Sequence, residues 1–154
     1  MLIKGIRKKT AKAFTYLQGT KIVAYEKIPE AGGKMMDGLQ KLMRDQGAAP
    51  AGPVVWSYRH AGKGKVALRS GFPVKAGTRG KAPFKARIEP EWECVSARFK
   101  GSMLDIIAAW HELFDAAEKK GLKCSDERRE IYLKWIRFDS KENVTELQIR
   151  LSRK

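Results

Sequence analysis

Near its C-terminus the chain places a carboxylate and a phenol in two successive segments that alternate between apolar and polar residues. Glu146 lies in Val144–Leu151 (VTELQIRL) and Tyr132 in Glu130–Phe138 (EIYLKWIRF). Side chains of an extended strand point to opposite faces in turn. Leu147, Ile149 and Leu151 therefore form one row, and Val144, Glu146 and Gln148 the other. In the preceding segment Ile131, Leu133 and Trp135 form an apolar row; Glu130, Tyr132 and Lys134 form its polar counterpart. The turn DSKEN joins the two as a hairpin, and both strands offer polar groups to a shared face. A carboxylate among aromatic rings can hold an organic cation, because the ring faces add their attraction to the ion pair. With Tyr132 positioning a substrate or water, Glu146 would also suit general acid or base work. The other arrangement has Glu146 on an exposed sheet surface, paired with Lys134. Periodicity alone does not separate the two.

Other aromatics could complete such a pocket. Trp56 and Tyr58 share a strand face, and Phe72 follows in the next strand. Aromatics in strands are more often core, so these three are candidates for a pocket wall or for packing. Trp110 sits on a helical apolar stripe with the same two possibilities. His60 and His111 lack metal-ligand companions. Cys94 and Cys124 fall in no CxxC or CxxH spacing, so no metal is expected. No phosphate loop, dinucleotide fingerprint or nucleophile elbow occurs, and no cofactor is expected; GTRGKAP has the wrong spacing for a phosphate loop.

The positioning elements recur. Lys21–Ile28 predicts a strand, Gly32-Gly33 a break, and Met36, Leu39, Leu42 and Met43 a helix that Gly47 closes. Strands follow at Val54–Arg59 and Lys65–Val74. After the connector Lys75–Pro90, rich in Gly, Ala and basic residues, Trp92–Phe99 predicts a strand. Gly101-Ser102 breaks it, with Ser102 and Asp105 placed to cap a helix. Ile106, Ile107, Trp110, Leu113, Phe114 and Ala117 mark that helix, Gly121 stops it, and the hairpin closes the series. The pattern of strand, helix, strand, strand thus appears twice, about 75 residues apart. It gives one domain over 1–154: residues 1–20 outside the repeats, a first repeat at 21–74, a connector at 75–90 and a second repeat at 91–151. Residues 1–20 fit either a strand around Phe14–Leu17 or a basic arm.

In this order and spacing the chain resembles the GyrI-like small-molecule-binding, or effector-binding, family. The segments that carry the resemblance are KIVAYEKIPEAGG, SGFPV, FKGS with the Trp110 helix behind it, REIYL and ENVTELQIRL, over roughly residues 20 to 151. Ser102-Met103 stand where the family often has an aromatic. The resemblance implies an α+β fold, with two repeats around a pseudo-twofold and a curved antiparallel sheet carrying both helices on one face. It implies an aromatic-lined ligand groove between the repeats with an acid, matched by Glu146, and a tyrosine, matched by Tyr132. Trp56, Tyr58, Phe72 and Trp110 are the remaining candidates for its lining.

Composition sets the outer bounds. The 154 residues are 43% hydrophobic and carry a formal net charge of +15, enough for one core without disulfides. Nine Lys and Arg and no acid lie between Arg59 and Arg87, and the first 25 residues also lack acid. Such fields attract nucleic acid weakly and without sequence preference, or simply keep loops solvated. No stretch reaches the ~18 apolar residues of a membrane span. The apolar start MLI is followed at once by Lys4, so no secretory leader is expected, and the expected compartment is the cytoplasm with reduced thiols. The sequence thus predicts a stand-alone protein that binds a small organic ligand, cationic or polar. The alternatives are a hydrolase of small reactive molecules and a basic macromolecule-binding or inhibitor protein.

Overall fold

The computed structural model describes residues 1–152; the final two residues of the expected domain lie outside the described residues. The fold is α+β, with antiparallel strands and two long helices distributed over two compact units.

The unit formed by Lys12–Glu91 contains β2 (Phe14–Ala24), α1 (Ile28–Gln46), β3 (Val55–His60), β4 (Lys65–Pro73) and β5 (Lys85–Glu89). β4 pairs with both β3 and β2, and β5 adds to the other edge of β2. The strand expected at Lys21–Ile28 instead begins at Phe14 and ends at Ala24. A 3-10 turn at Tyr25–Lys27 leads directly into α1. Pro29 stands in the first helical turn, where its missing N–H costs no hydrogen bond. Gly32 and Gly33 therefore lie inside the helix instead of breaking the chain. Gly47, in the left-handed conformation at φ 63°, ends it, as its lack of a Cβ allows. α1 packs Leu39 and Met43 on Leu17, Phe72 and Val74. Its Ala31 meets Val23, Tyr58, Val66 and Leu68. Part of the expected connector is β5. Its Glu89 receives both terminal nitrogens of Arg69, at 2.8 and 2.6 Å, a bidentate fit that favours arginine.

The second unit joins Met1–Ala11 to the chain from Trp92 onward. It contains β1 (Ile3–Ala11), β6 (Trp92–Lys100), α2 (Ile106–Lys119), β7 (Cys124–Lys134) and β8 (Val144–Leu151). β8 pairs with both β7 and β6, and β1 adds to the other edge of β6. The basic N-terminal stretch is thus an integral strand of this unit. Its charged side chains resemble an arm in sequence, but strand pairing uses the backbone, which side-chain charge does not reveal. Ser102 accepts the Leu104 N–H at 3.0 Å and caps the 3-10 turn Met103–Asp105 that opens α2. Ala109, Trp110, Leu113 and Ala117 then pack on Val95, Ala97, Phe99, Leu147 and Ile149. The row of Leu147 and Ile149 lies beneath the helix, as the alternation predicts.

Candidate ligand site

Register decides which polar groups meet. Along the β7–β8 pair, Glu130 stands opposite Leu147 and Tyr132 opposite Thr145, whereas Glu146 stands opposite Ile131. Glu130 and Tyr132 thus share the face of Leu147 that α2 covers, and Glu146 points to the other face. The alternation holds along β8 and from Arg128 to Tyr132 of β7, but the expected shared face for Glu146 and Tyr132 does not, and Trp135, expected in the opposite row, meets the Tyr132 ring. A hairpin's register depends on its turn and bulges, and here the pairing shifts between Tyr132 and Lys134, a displacement that composition does not encode.

On the α2 face a small cluster assembles around Glu130, which is 5% exposed. Trp110 Nε1 donates to Glu130 Oε2 at 2.8 Å, and Tyr132 Oη donates to Oε1 at 2.6 Å. A buried indole N–H needs an acceptor, and this one finds a carboxylate. These two donors orient the carboxylate. The Arg128 guanidinium lies over the Trp110 ring, 5.7 Å from its centroid. Trp135 meets the Tyr132 ring edge-on at 5.4 Å. The arrangement can hold a cation against a carboxylate flanked by rings, or hold a proton at Tyr132.

Glu146 has different company on the opposite face. Lys9 Nζ lies 2.7 Å from its Oε2, and Gln148 donates to the same oxygen at 2.6 Å. Burial pushes this carboxyl up, but the Lys9 and Gln148 hydrogen bonds, with the charges of Lys9 and Arg98, outweigh it and hold the group below the usual glutamate range. Its cation is therefore supplied within the protein by Lys9, not by Lys134.

The remaining candidates divide. Trp110 and Tyr132 come together on Glu130. Trp56 and Tyr58 share a face in the other unit and pack with Val66 and Leu68 beneath α1. Phe72 is buried on Leu17 and Leu39. Arg129, 1% exposed, stacks 3.5 Å from the Trp92 ring centroid. Glu130 was legible as the acid two residues from Tyr132 in one polar row, facing a helix whose tryptophan needs an acceptor. Among the described residues no group of His, Cys, Asp and Glu could hold a metal, and no helix is long and apolar enough to cross a membrane.

The model of the GyrI-like small molecule binding domain matches residues 4–152, and the chain belongs to this family. Among solved structures it is similar to the C-terminal domain of EcmrR, with 20% identity, 99% of each chain covered and a TM-score of 0.74. It also matches EcmrR in an EcmrR–DNA complex, with 18% identity and a TM-score of 0.79, covering 99% of this chain and 59% of that one. SAV2435 bound to tetraphenylphosphonium matches at 10% identity and a TM-score of 0.68, covering 97% of this chain and 94% of that one. A hydrolase from Listeria innocua matches at 14% identity and a TM-score of 0.67, covering 96% and 91%. These likenesses establish the fold. A comparison with curated protein sequences finds no match.

Proposed function

We propose that the chain binds a lipophilic organic cation at Glu130, with Trp110 and Tyr132 fixing the carboxylate, and that it does so in the cytoplasm. The observation that carries this reading is a buried carboxylate held by an indole N–H and a phenol. A carboxylate flanked by aromatic rings favours a cation whose surface is apolar. The family supports a small-molecule ligand, and SAV2435 bound to tetraphenylphosphonium supports an aryl cation as its class. The complex with DNA is one of the longer EcmrR chain, of which this chain covers 59%.

Isothermal titration with tetraphenylphosphonium tests the reading. Glu130→Gln keeps the shape and removes the charge, which should cost about 2–5 kcal/mol of binding, as expected for a buried charged partner. A neutral triaryl analogue should lose far less. Glu146→Gln should leave the cation's affinity unchanged, because Lys9 already occupies that carboxylate. Loss on Glu146→Gln with none on Glu130→Gln would restore the alternative acid and overturn this assignment.

The 2.6 Å hydrogen bond from Tyr132 to Glu130 also supports a second reading, hydrolysis of a small reactive molecule. Glu130 would act as general base on water and Tyr132 would position it. On this reading Glu130→Gln still binds a neutral substrate but no longer turns it over. Equal turnover by wild type and variant would dismiss it.

A further inference from the structure

The unit Lys12–Glu91 carries its charge unevenly. Of the nine Lys and Arg between Arg59 and Arg87, only Arg69 meets a carboxylate among the described residues, that of Glu89 at 2.6 Å. The other eight are exposed. The same unit balances its cations elsewhere. Lys27 and Lys34 flank Glu30 at 3.7 and 3.6 Å, and Lys41 meets Asp45 at 3.0 Å. Register shows where four of the eight gather. Leu17 and Phe72, opposite each other, lie under α1, so Tyr16, Gln18 and Ile22 of β2 point to the other face of the sheet. On that face Lys85 stands opposite Gln18 and Arg87 opposite Tyr16. Towards the other end of β2, Ile22 pairs with Ala67, Ala67 with Arg59, and Ala24 with Lys65. Two pairs of cations therefore occupy opposite corners of one sheet face. Its single acid, Glu89, is buried and held by Arg69.

The corners are too far apart to close on one small anion. Four residues along β2, at ~3.3 Å each, and three strand spacings of ~4.8 Å put Lys85 roughly 20 Å from Arg59. An extended polyanion fits that span. Duplex DNA carries one negative charge per ~1.7 Å of its axis, so roughly six base pairs lie between the corners. The middle of the face offers unpaired bases no ring to stack on, because Tyr16 is 0% exposed and donates its hydroxyl to Val55 O. Single-strand binders rely on such exposed rings. We infer that this sheet face, opposite α1, docks the phosphate backbone of duplex DNA through Arg59, Lys65, Lys85 and Arg87. Long cations on an open face reach phosphates and leave base edges unread, so the docking carries no sequence preference.

Fluorescence anisotropy of a labelled, mixed-sequence DNA duplex of about 20 base pairs tests it. Competitors are the unlabelled duplex, the single strand, duplex RNA of the same sequence, and polyglutamate. Two double variants, Lys85→Gln with Arg87→Gln and Arg59→Gln with Lys65→Gln, are set against Lys34→Gln with Lys41→Gln, which removes the same charge from α1. Each sheet-face variant should weaken duplex binding at least fivefold at low salt. Each should also flatten the slope of log K against log salt by about 2, as two lost phosphate contacts require. The α1 variant should weaken binding less than twofold and keep the wild-type slope. Partial unfolding would lower the bound fraction without changing the slope. No binding by wild type at about 50 mM salt, or equal losses in all three variants, would overturn the face. Stronger competition by the single strand, duplex RNA or polyglutamate than by duplex DNA would assign the face to that polyanion and overturn the duplex. Binding to one preferred sequence that survives added salt would overturn backbone docking.

Discussion

The two units solve the same packing problem with opposite choices. Trp110 is the fifth residue of α2 and Gly32 the fifth of α1, each following a buried alanine, Ala109 or Ala31. In the unit with α2 the helix supplies the tryptophan, and the strand beneath it supplies Arg128 and Glu130. In the unit with α1 the strand supplies the tryptophan, Trp56, and the helix withdraws to glycine. A Cβ on Gly32 would come 2.3 Å from the Trp56 ring. One helix–sheet slot therefore holds a carboxylate with its donors, and its counterpart is filled by a ring laid against bare helix backbone. A shared pattern of elements does not imply a shared site. The side chain that fills the slot decides whether it is apolar core or a polar cluster.

This contrast can be broken most sharply at Gly32. Gly32→Ala should destabilise the protein by about 1–3 kcal/mol, the usual range for overpacking a tight contact. Gly33→Ala, whose added Cβ meets nothing within 4 Å, should stabilise it by about 0.5–1 kcal/mol through helix propensity. Urea denaturation of the two variants checks both signs, and Trp56→Ala should relieve part of the Gly32→Ala loss. Equal effects at 32 and 33 would mean that the ring yields and the contrast is not steric.

A smaller effect separates the two acids of the α2 unit. Glu146 has a lowered folded pKa, so its contribution is fully present above the ordinary glutamate value and is lost as pH falls through the lower folded value. Lys9→Met removes its nearest cation. It should cost about 1 kcal/mol or less at neutral pH, given a pair that is partly exposed, and should move the acid limb of the stability profile to higher pH. An unchanged acid limb would show that Lys9 does not set that titration. The smallest effect concerns the thiols. Burial raises both, and pushes Cys94 up to about 11. Cys94 is fully buried and Cys124 is not, so at pH 7.5 a thiol reagent should modify Cys124 first and leave Cys94 intact until the protein unfolds. Mass mapping of the labelled peptides gives the order.

Much of the fold was legible because its signals are local. Gly47 marked a helix end, the Ile106–Ala117 stripe marked a buried face, and Leu147 and Ile149 marked the row beneath it. What stayed hidden depends on pairing. The first eleven residues carry no apolar alternation strong enough to announce β1, whose partner β6 lies far along the chain. Gly32-Gly33 looked like a break because glycine weakens helices; Trp56 explains Gly32 in one, and nothing in the structure explains Gly33. Of the candidate site, only some members were named from the sequence. Trp110 and Tyr132 were candidates, but the acid they share is Glu130, since the register across β7 and β8 had to be seen before faces could be assigned.

The strand connections also impose an order on how the chain organises itself. β1 must find β6 across residues 12–91, a separation whose closure is entropically costly and slow. Those intervening residues form a compact unit of their own, and within it Phe14 pairs with Glu89. Once that ladder forms, the chain enters and leaves the unit at neighbouring points, and Ala11 is delivered beside Trp92, its register partner. The middle of the chain thus acts as a clasp. Synthesised before β6, it turns a long-range search by β1 into a short-range pairing as soon as β6 is made.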